Sequence, residues 1–330
     1  MKKIVYIVFV ISLLVVSCKK QVTCSNNEIV YTTKYGYPIE FEASEGFGGH
    51  VVSNIYEGDY GRITFDNDVV NIPLRAFEGC ETLTSIILPE CLTGIERYAF
   101  GGCINLAEFK GKFAADGGRC LIRDNTIIAY AEASGTEYVI PDSVTTIGEG
   151  AFYECTSITS ITLPESITTI GYGAFFHCNN LISINIPDDI TTIGEGAFAR
   201  CESLTNVTIP NSVTTIGDYA FNSCSSLTSI TIPDSVTAIG EWTFYNCESL
   251  TNVMIGNGAN MIGDYAFCGC NNLKNVYCKS VTPPKAGKSI FFSNASDRKI
   301  YVSTESVYEY KTSSYWNNYA DSILGYDFAE

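Results

Sequence analysis

Apolar and polar positions recur along this chain with a period far longer than that of one helix or strand. From Phe152 onward a single phrase returns every 23 residues: Leu/Ile-x-x-Ile/Val-x-Ile/Leu, then Val/Ile-x-x-Ile-Gly, then a Phe-x-x-Cys. In Leu204–Pro210 the alternation places Leu204, Val207 and Ile209 on one side and Thr205, Asn206 and Thr208 on the other, the period-two mark of a strand. Pro210 ends that strand because it has no amide proton for the next ladder bond. Val213 and Ile216 point inward from a second short extended stretch, and Ala220-Phe221 opens a helical or 3-10 turn. The Phe column runs Phe77, Phe100, Phe152, Phe175, Phe198, Phe221, Phe244 and Phe267; a Cys column follows three residues behind it. One such unit cannot bury its own apolar face, so the units must stack. At about 4.8 Å per step, roughly ten coils make a rod near 50 Å long.

One interval breaks the period: Phe100 and Phe152 are 52 residues apart. The excess falls in an irregular insert at about 107-138, where "CLIRDNTIIAY" reads as a hairpin turning at Asp124-Asn125. Such an insertion is expected to project from one face, as a functional element or a tolerated irregularity. Both ends depart from the phrase, as an open solenoid end requires. Residues 29-74 read as an N-terminal cap, 75-278 as the solenoid, and 279-330 as a C-terminal cap whose amphipathic helix turns Trp316 and Tyr319 inward. The spacing of L-x-x-I-x-I within 23 residues is the leucine-rich-repeat signature. The fold class is therefore an α/β repeat solenoid, a right-handed leucine-rich-repeat coil of 23-residue units with an inserted hairpin and two caps.

The N-terminus carries a different signal. Lys2-Lys3, an apolar run from Ile4 to Val16, then Ser17 and Cys18 form an export signal, shorter than the roughly 20 residues that span a bilayer. "LLVVSCKK" resembles the lipobox of bacterial lipoproteins, with Val15 where leucine is preferred. This implies a signal peptide at 1-17, lipidation of Cys18, and a tether at 18-28. The repeat itself, in "SITIPDSVTAIG" and "IGDYAFNSC", resembles the BspA-type (TpLRR class) leucine-rich repeats of bacterial surface proteins. The flanks "ITFDNDV" and "PP…IYV…YK…W…Y" match as well. The resemblance implies an outer-membrane lipoprotein or surface antigen, some members of the class being adhesins for host matrix proteins or other bacteria.

Composition narrows the chemistry. A formal charge of −16 disfavours nucleic acid and anionic lipid as partners. Eight of the 14 cysteines form the repeat column. They read as a ladder of buried thiols, with bridging between adjacent coils as the alternative. Cys268, Cys270 and Cys278 have poor zinc spacing, and Cys91, standing in for a serine, reads as a surface thiol. His177 occupies a position that elsewhere holds Glu154, Arg200, Ser223 or Asn246, so it faces solvent. The acidic columns (Asp142, Glu165, Asp188, Asp234; Glu149, Glu195, Asp218, Glu241, Asp264) supply one carboxylate per coil along a line. Calcium needs six to eight oxygens around a point, so these read as turn formers and helix-turn N-terminal charges. No catalytic constellation, metal site or cofactor is expected.

The candidate binding face is the outward side of the first strand: Thr159, Thr162, Asn185, Thr205, Thr208, Thr228, Thr231 and Thr251. Threonine there also suits strand preference alone. A flat, hydroxyl-rich surface fits weak, multivalent contact with a glycan or extended peptide. The expected function is a lipid-anchored binding module for a host extracellular-matrix protein, a glycan or a neighbouring bacterial surface. The alternative is a structural or antigenic surface protein without a specific ligand.

Overall fold

The structure, a computed structural model, describes residues 24–41 and 45–328. The signal peptide and Cys18 lie outside the described residues. The chain winds into a β-solenoid of about 11 turns. Each coil of the regular segment contributes two short parallel strands, one to each of two walls. On the first wall Ser160–Thr162, Ser183–Asn185 and Asn206–Thr208 pair in sequence, with Ile161 opposite Ile184 and Ile184 opposite Val207. Beyond them Ser229–Ile232, Asn252–Ile255 and Asn275–Cys278 pair with one another in the same way, as the start of a second sheet on this wall. On the second wall, two-residue strands from Thr146–Ile147 to Lys285–Ala286 stack one per coil within a ten-stranded sheet. Leu204, Val207, Ile209, Val213 and Ile216 are all buried, while Thr205, Asn206 and Thr208 face solvent.

The third side is built from turns, and the helical element expected there does not form. Phe198 and Arg200 donate their amides to Ala220 and Asn222 of the next coil, at 2.8 and 2.7 Å. Those donors therefore go across coils, and no helix can use them internally. Among the described residues the only α-helix is Val307–Thr312 in the C-terminal region. The turns require left-handed backbone at two positions per coil. One column is Gly79, Gly102, Glu154, His177, Arg200, Ser223, Asn246 and Gly269; the other includes Gly150, Gly173, Gly196, Tyr219, Trp242 and Tyr265. An L-residue in that region costs about 1–2 kcal/mol, which explains why glycine recurs at both.

The core is a column of phenylalanine rings. Phe175, Phe198, Phe221 and Phe244 stack at 5.3 Å between centroids, with planes within 10° of parallel. Such pairs contribute about 0.5–1.5 kcal/mol beyond burial. The repeat also continues past Cys278, where the sequence pattern placed its end. Phe291 stacks on Phe267 at 5.7 Å, and Lys299–Ser303 pairs with Asn275–Cys278. One extra residue in that coil hides the period. Beyond it, Trp316 is fully buried and donates Nε1–H to the Pro284 carbonyl at 2.7 Å. A final strand, Ile323–Tyr326, pairs with Lys299–Ser303. At the other end Glu28–Thr33 lies antiparallel to Leu83–Leu88 and covers the first coil.

The insert forms the hairpin, Cys120–Arg123 against Thr126–Tyr130, with Asp124 and Asn125 both left-handed as a type I′ turn demands. It does not project. Thr126–Tyr130 takes the place of a coil's second strand and pairs in parallel with Thr146–Ile147. The cost of this substitution is continuity. Gly94–Ile95 pairs only with Asn71–Ile72, and Glu108–Gly111 only with Leu83–Leu88, among the described residues. The ring stack breaks at the same step: Phe100 turns its ring edge-on to Phe109, and Phe152 packs on Tyr130. Two hydrophobic cores result, meeting at the hairpin. A cleft of about 410 Å³ marks the seam on the second wall, lined by Leu74, Ile95, Arg97, Arg123, Ile128 and Glu149 among others. Glu132 pins the insert to the C-terminal segment: its Oε1 accepts the amides of Thr156 and Ser157 and the Thr156 hydroxyl.

Solenoid stability is a sum of unit and interface contributions, so a broken interface should separate two unfolding units. Leu83→Ala removes core from the N-terminal segment and Leu227→Ala from the C-terminal one, each at about 2–5 kcal/mol. In urea unfolding followed by circular dichroism, each variant is expected to lower the midpoint of a different transition. A single transition lowered equally by both would mean that the seam transmits the full interface energy.

Candidate binding surface

The first wall aligns its outward residues in register. Asn185 stands opposite Thr208, Thr231 opposite Met254, Met254 opposite Tyr277, and Tyr277 opposite Tyr301. The strand-face threonines divide into two groups. Thr159, Thr205 and Thr251 donate their hydroxyls to the carbonyls of Thr136, Ile182 and Thr228, one coil back, at 3.1 to 3.3 Å. Those hydroxyls serve the stack. The side chains of Thr162, Asn185, Thr208 and Thr231 are exposed and make no hydrogen bond among the described residues. Thr228 is exposed likewise.

At its C-terminal end this face becomes aromatic. Tyr277 and Tyr301 stack at 4.8 Å, and Tyr326 packs edge-on against both, at 5.3 and 5.7 Å. Tyr301 and Tyr326 were not expected on this face, because the longer coil and the final strand lie beyond the end that the sequence pattern assigns to the repeat.

The acidic columns bond to backbone. Asp218 Oδ1 accepts the Glu241 amide at 2.7 Å, Asp234 Oδ1 the Asn257 amide at 3.0 Å, and Asp264 Oδ1 the Lys288 amide at 2.8 Å. Asp218 and Asp264 of the post-glycine column thus cap the next coil and start no helix. Among the described residues no three His, Cys, Asp or Glu side chains are placed to hold a metal ion. His177 is half-buried in a left-handed position, with Nδ1 3.8 Å from Glu154 Oε1. The variety of residues at its position reflects a turn that needs a special backbone more than one open to solvent.

The column cysteines are free thiols. Cys103, Cys178, Cys201, Cys224, Cys247 and Cys270 each donate S–H to the carbonyl of the Phe 26 residues earlier, at 3.0 to 3.2 Å. This direction of each thiol, toward backbone and away from its neighbours, accounts for the absence of bridges among them. Burial pushes all six thiols well above the ordinary range. Cys91 is half-buried and gives its S–H to the Val69 carbonyl at 3.2 Å, so it is less open than its sequence context implies.

Comparison with known proteins fits this geometry. Residues 56–112, 127–225 and 191–320 match the family described as the BspA type leucine rich repeat region, in six copies. Among solved structures the chain is similar to the leucine-rich repeat protein TpLRR of T. pallidum, at 32% identity over 49% of this chain and 77% of that one, with TM-score 0.46. A leucine-rich repeat protein from Bacteroides ovatus shares 26% identity over 80% of this chain and 70% of that one, with TM-score 0.48. One from Eubacterium ventriosum shares 22% over 64% and 59%, with TM-score 0.52, a likeness of fold alone. No curated protein matches the chain.

The thiol ladder makes a chemical prediction. A raised pKa leaves almost no thiolate at pH 8, and burial bars the reagent. Iodoacetamide at pH 8 is expected to leave Cys178, Cys201, Cys224 and Cys247 unmodified in the folded protein and to alkylate all four in urea, as read by peptide mass spectrometry. Labelling of these thiols at the rate of a free cysteine without denaturant would contradict the buried ladder.

Proposed function

The chain belongs to the BspA-type leucine-rich-repeat family, and from that premise we propose that it is a lipid-anchored binding module displayed on the outer membrane at the cell surface. The family is one of protein-interaction modules that are typically non-catalytic. Cys18 carries the anchor; its acyl chains contribute about 0.8 kcal/mol per buried CH₂. The strand face engages a polymeric partner, either a host extracellular-matrix protein, a glycan or the surface of a neighbouring cell.

The observation that supports this reading best is the outward strand column. From Thr162 to Thr231 it presents side chains left free by the stack, at one repeat per coil, and it ends on the Tyr277–Tyr301–Tyr326 cluster. Repeated weak contacts give avidity, and tyrosines are favoured anchors of an interface. A partner with its own repeat suits such a wall.

Two measurements test it. On intact cells, external protease is expected to shave the wild-type protein, while Cys18→Ala leaves the membrane fraction. Protection until the outer membrane is breached would overturn surface display. On arrays of matrix proteins and glycans, the pair Thr208→Arg and Thr231→Arg is expected to weaken whatever binding the wild type shows by about tenfold, near 1.4 kcal/mol. Unchanged binding would remove the strand face from the proposal.

A further inference from the structure

The turn side carries a second surface that the sequence pattern passed over. Its left-handed column holds glycine in three consecutive coils, Gly150, Gly173 and Gly196, and then Tyr219, Trp242 and Tyr265 in the next three, all with φ between 55° and 63°. A bulky residue at positive φ is a backbone outlier that needs a reason. Tyr98, in the same column, has one: it is buried at the seam, and a Cβ on Gly150 would lie 2.4 Å from its ring. The other three fill no core. Tyr219 is 41% exposed, and Trp242 and Tyr265 are half-buried. They form a surface row, Tyr219 on Trp242 at 6.3 Å and 5°, Trp242 on Tyr265 at 4.4 Å and 22°. Glycine would sit in each position with less strain, so the rings are kept for something other than the fold.

Charge says what they can meet. From Asp142 to Leu273, both included, the chain has thirteen carboxylates and one Lys or Arg, Arg200. Glu195, Asp218, Glu241 and Asp264 stand immediately before Gly196, Tyr219, Trp242 and Tyr265, so each ring has a carboxylate beside it. None of the four is in an ion pair among the described residues. The face of Tyr219 turned away from Trp242 looks over Gly196, where an added Cβ would meet nothing within 4 Å. An uncovered ring face flanked by unpaired carboxylates attracts an ammonium or guanidinium group through both the ring quadrupole and Coulomb energy. The repeat of ring and carboxylate from coil to coil suits a run of cations over a single ion.

We infer that the row Tyr219–Trp242–Tyr265, with Glu195, Asp218 and Glu241, is a docking surface for a lysine- or arginine-rich segment of a partner protein. This surface lies on the turn side, apart from the strand wall, and stands independently of the function proposed for that wall.

An octa-arginine peptide serves as probe, titrated by calorimetry against the folded chain at 50 mM salt. The wild type is expected to bind, with affinity falling as salt rises. Tyr219→Gly and Trp242→Gly put in the residue used by neighbouring coils, so relief of positive-φ strain offsets the lost ring stacking and both variants should stay folded with urea midpoints near wild type. Each is expected to weaken binding about two- to five-fold, the range of one exposed cation–π contact. Glu202→Gln with Glu248→Gln, which removes two charges after the cysteine column, and Thr208→Ala with Thr231→Ala on the strand wall should each cost less than either ring variant. Absence of binding by the wild type would overturn the inference. So would ring variants that bind like wild type while the Glu202/Glu248 pair weakens binding, since the attraction would then be diffuse charge alone.

Discussion

No coil of this protein can close its own core, and the contact that closes it is the interlock of one Phe–Cys pair with the next. From Phe175 to Phe244 each phenylalanine ring is covered above and below by its counterparts, and its carbonyl accepts the thiol of the following coil. That carbonyl already accepts the amide of the cysteine three residues on, so the thiol occupies its second lone pair and ties two coils together at one oxygen. Serine could donate in cysteine's place but would bring a more strongly hydrated group into a site with no exposure, whereas a thiol is apolar enough to be buried and polar enough to satisfy one acceptor. The cysteine column is thus a device of packing. A count of fourteen cysteines would otherwise invite a reading as covalent staples.

The same economy governs the surface. Serines after the proline, as in Ser212 to Ile190 and Ser235 to Val213, bond carbonyls of the preceding coil, and aspartates bond amides of the next. Three of the eight strand-wall candidates, Thr159, Thr205 and Thr251, are likewise committed to neighbours. Composition therefore overstates how much of this surface is available to a ligand. The residues left over are those that neither fill the core nor bridge coils, and they fall in two columns, one on the strand wall and one on the turn side.

How much of this was legible in the sequence follows from which contacts repeat. The coil, its two strands and the buried Phe and Cys could be read directly, because each is specified by an apolar residue at a fixed interval. The hairpin at Asp124-Asn125 was legible from its turn residues. Three things were not. The turn side was expected to be helical because Ala-Phe after a glycine and an acid looks like a helix start; coil-to-coil amides such as that of Phe198 take the donors instead. The last coil was missed because one added residue shifts Phe291 out of frame. The division of threonines into committed and free could not be read at all, since Thr205 and Thr208 are the same residue three positions apart and differ only in whether a carbonyl of the previous coil lies within reach.

The seam and the two free columns bear on one another. A uniform solenoid has no preferred place for a site, since every coil offers the same surface. Here the insert ends one stack and begins another, and the coils after it depart from uniformity in order. In the left-handed column the coils at Gly150, Gly173 and Gly196 carry no side chain, and those at Tyr219, Trp242 and Tyr265 carry rings. On the strand wall the change from Thr231 to Met254, Tyr277 and Tyr301 falls over the same coils. Core demands cannot produce this gradient, because Phe221, Phe244 and Phe267 beneath it are stacked as regularly as the rings before them. Variation confined to outward positions, on two walls at once and toward one end of an otherwise repetitive rod, is what selection on contacts made outside the fold would leave.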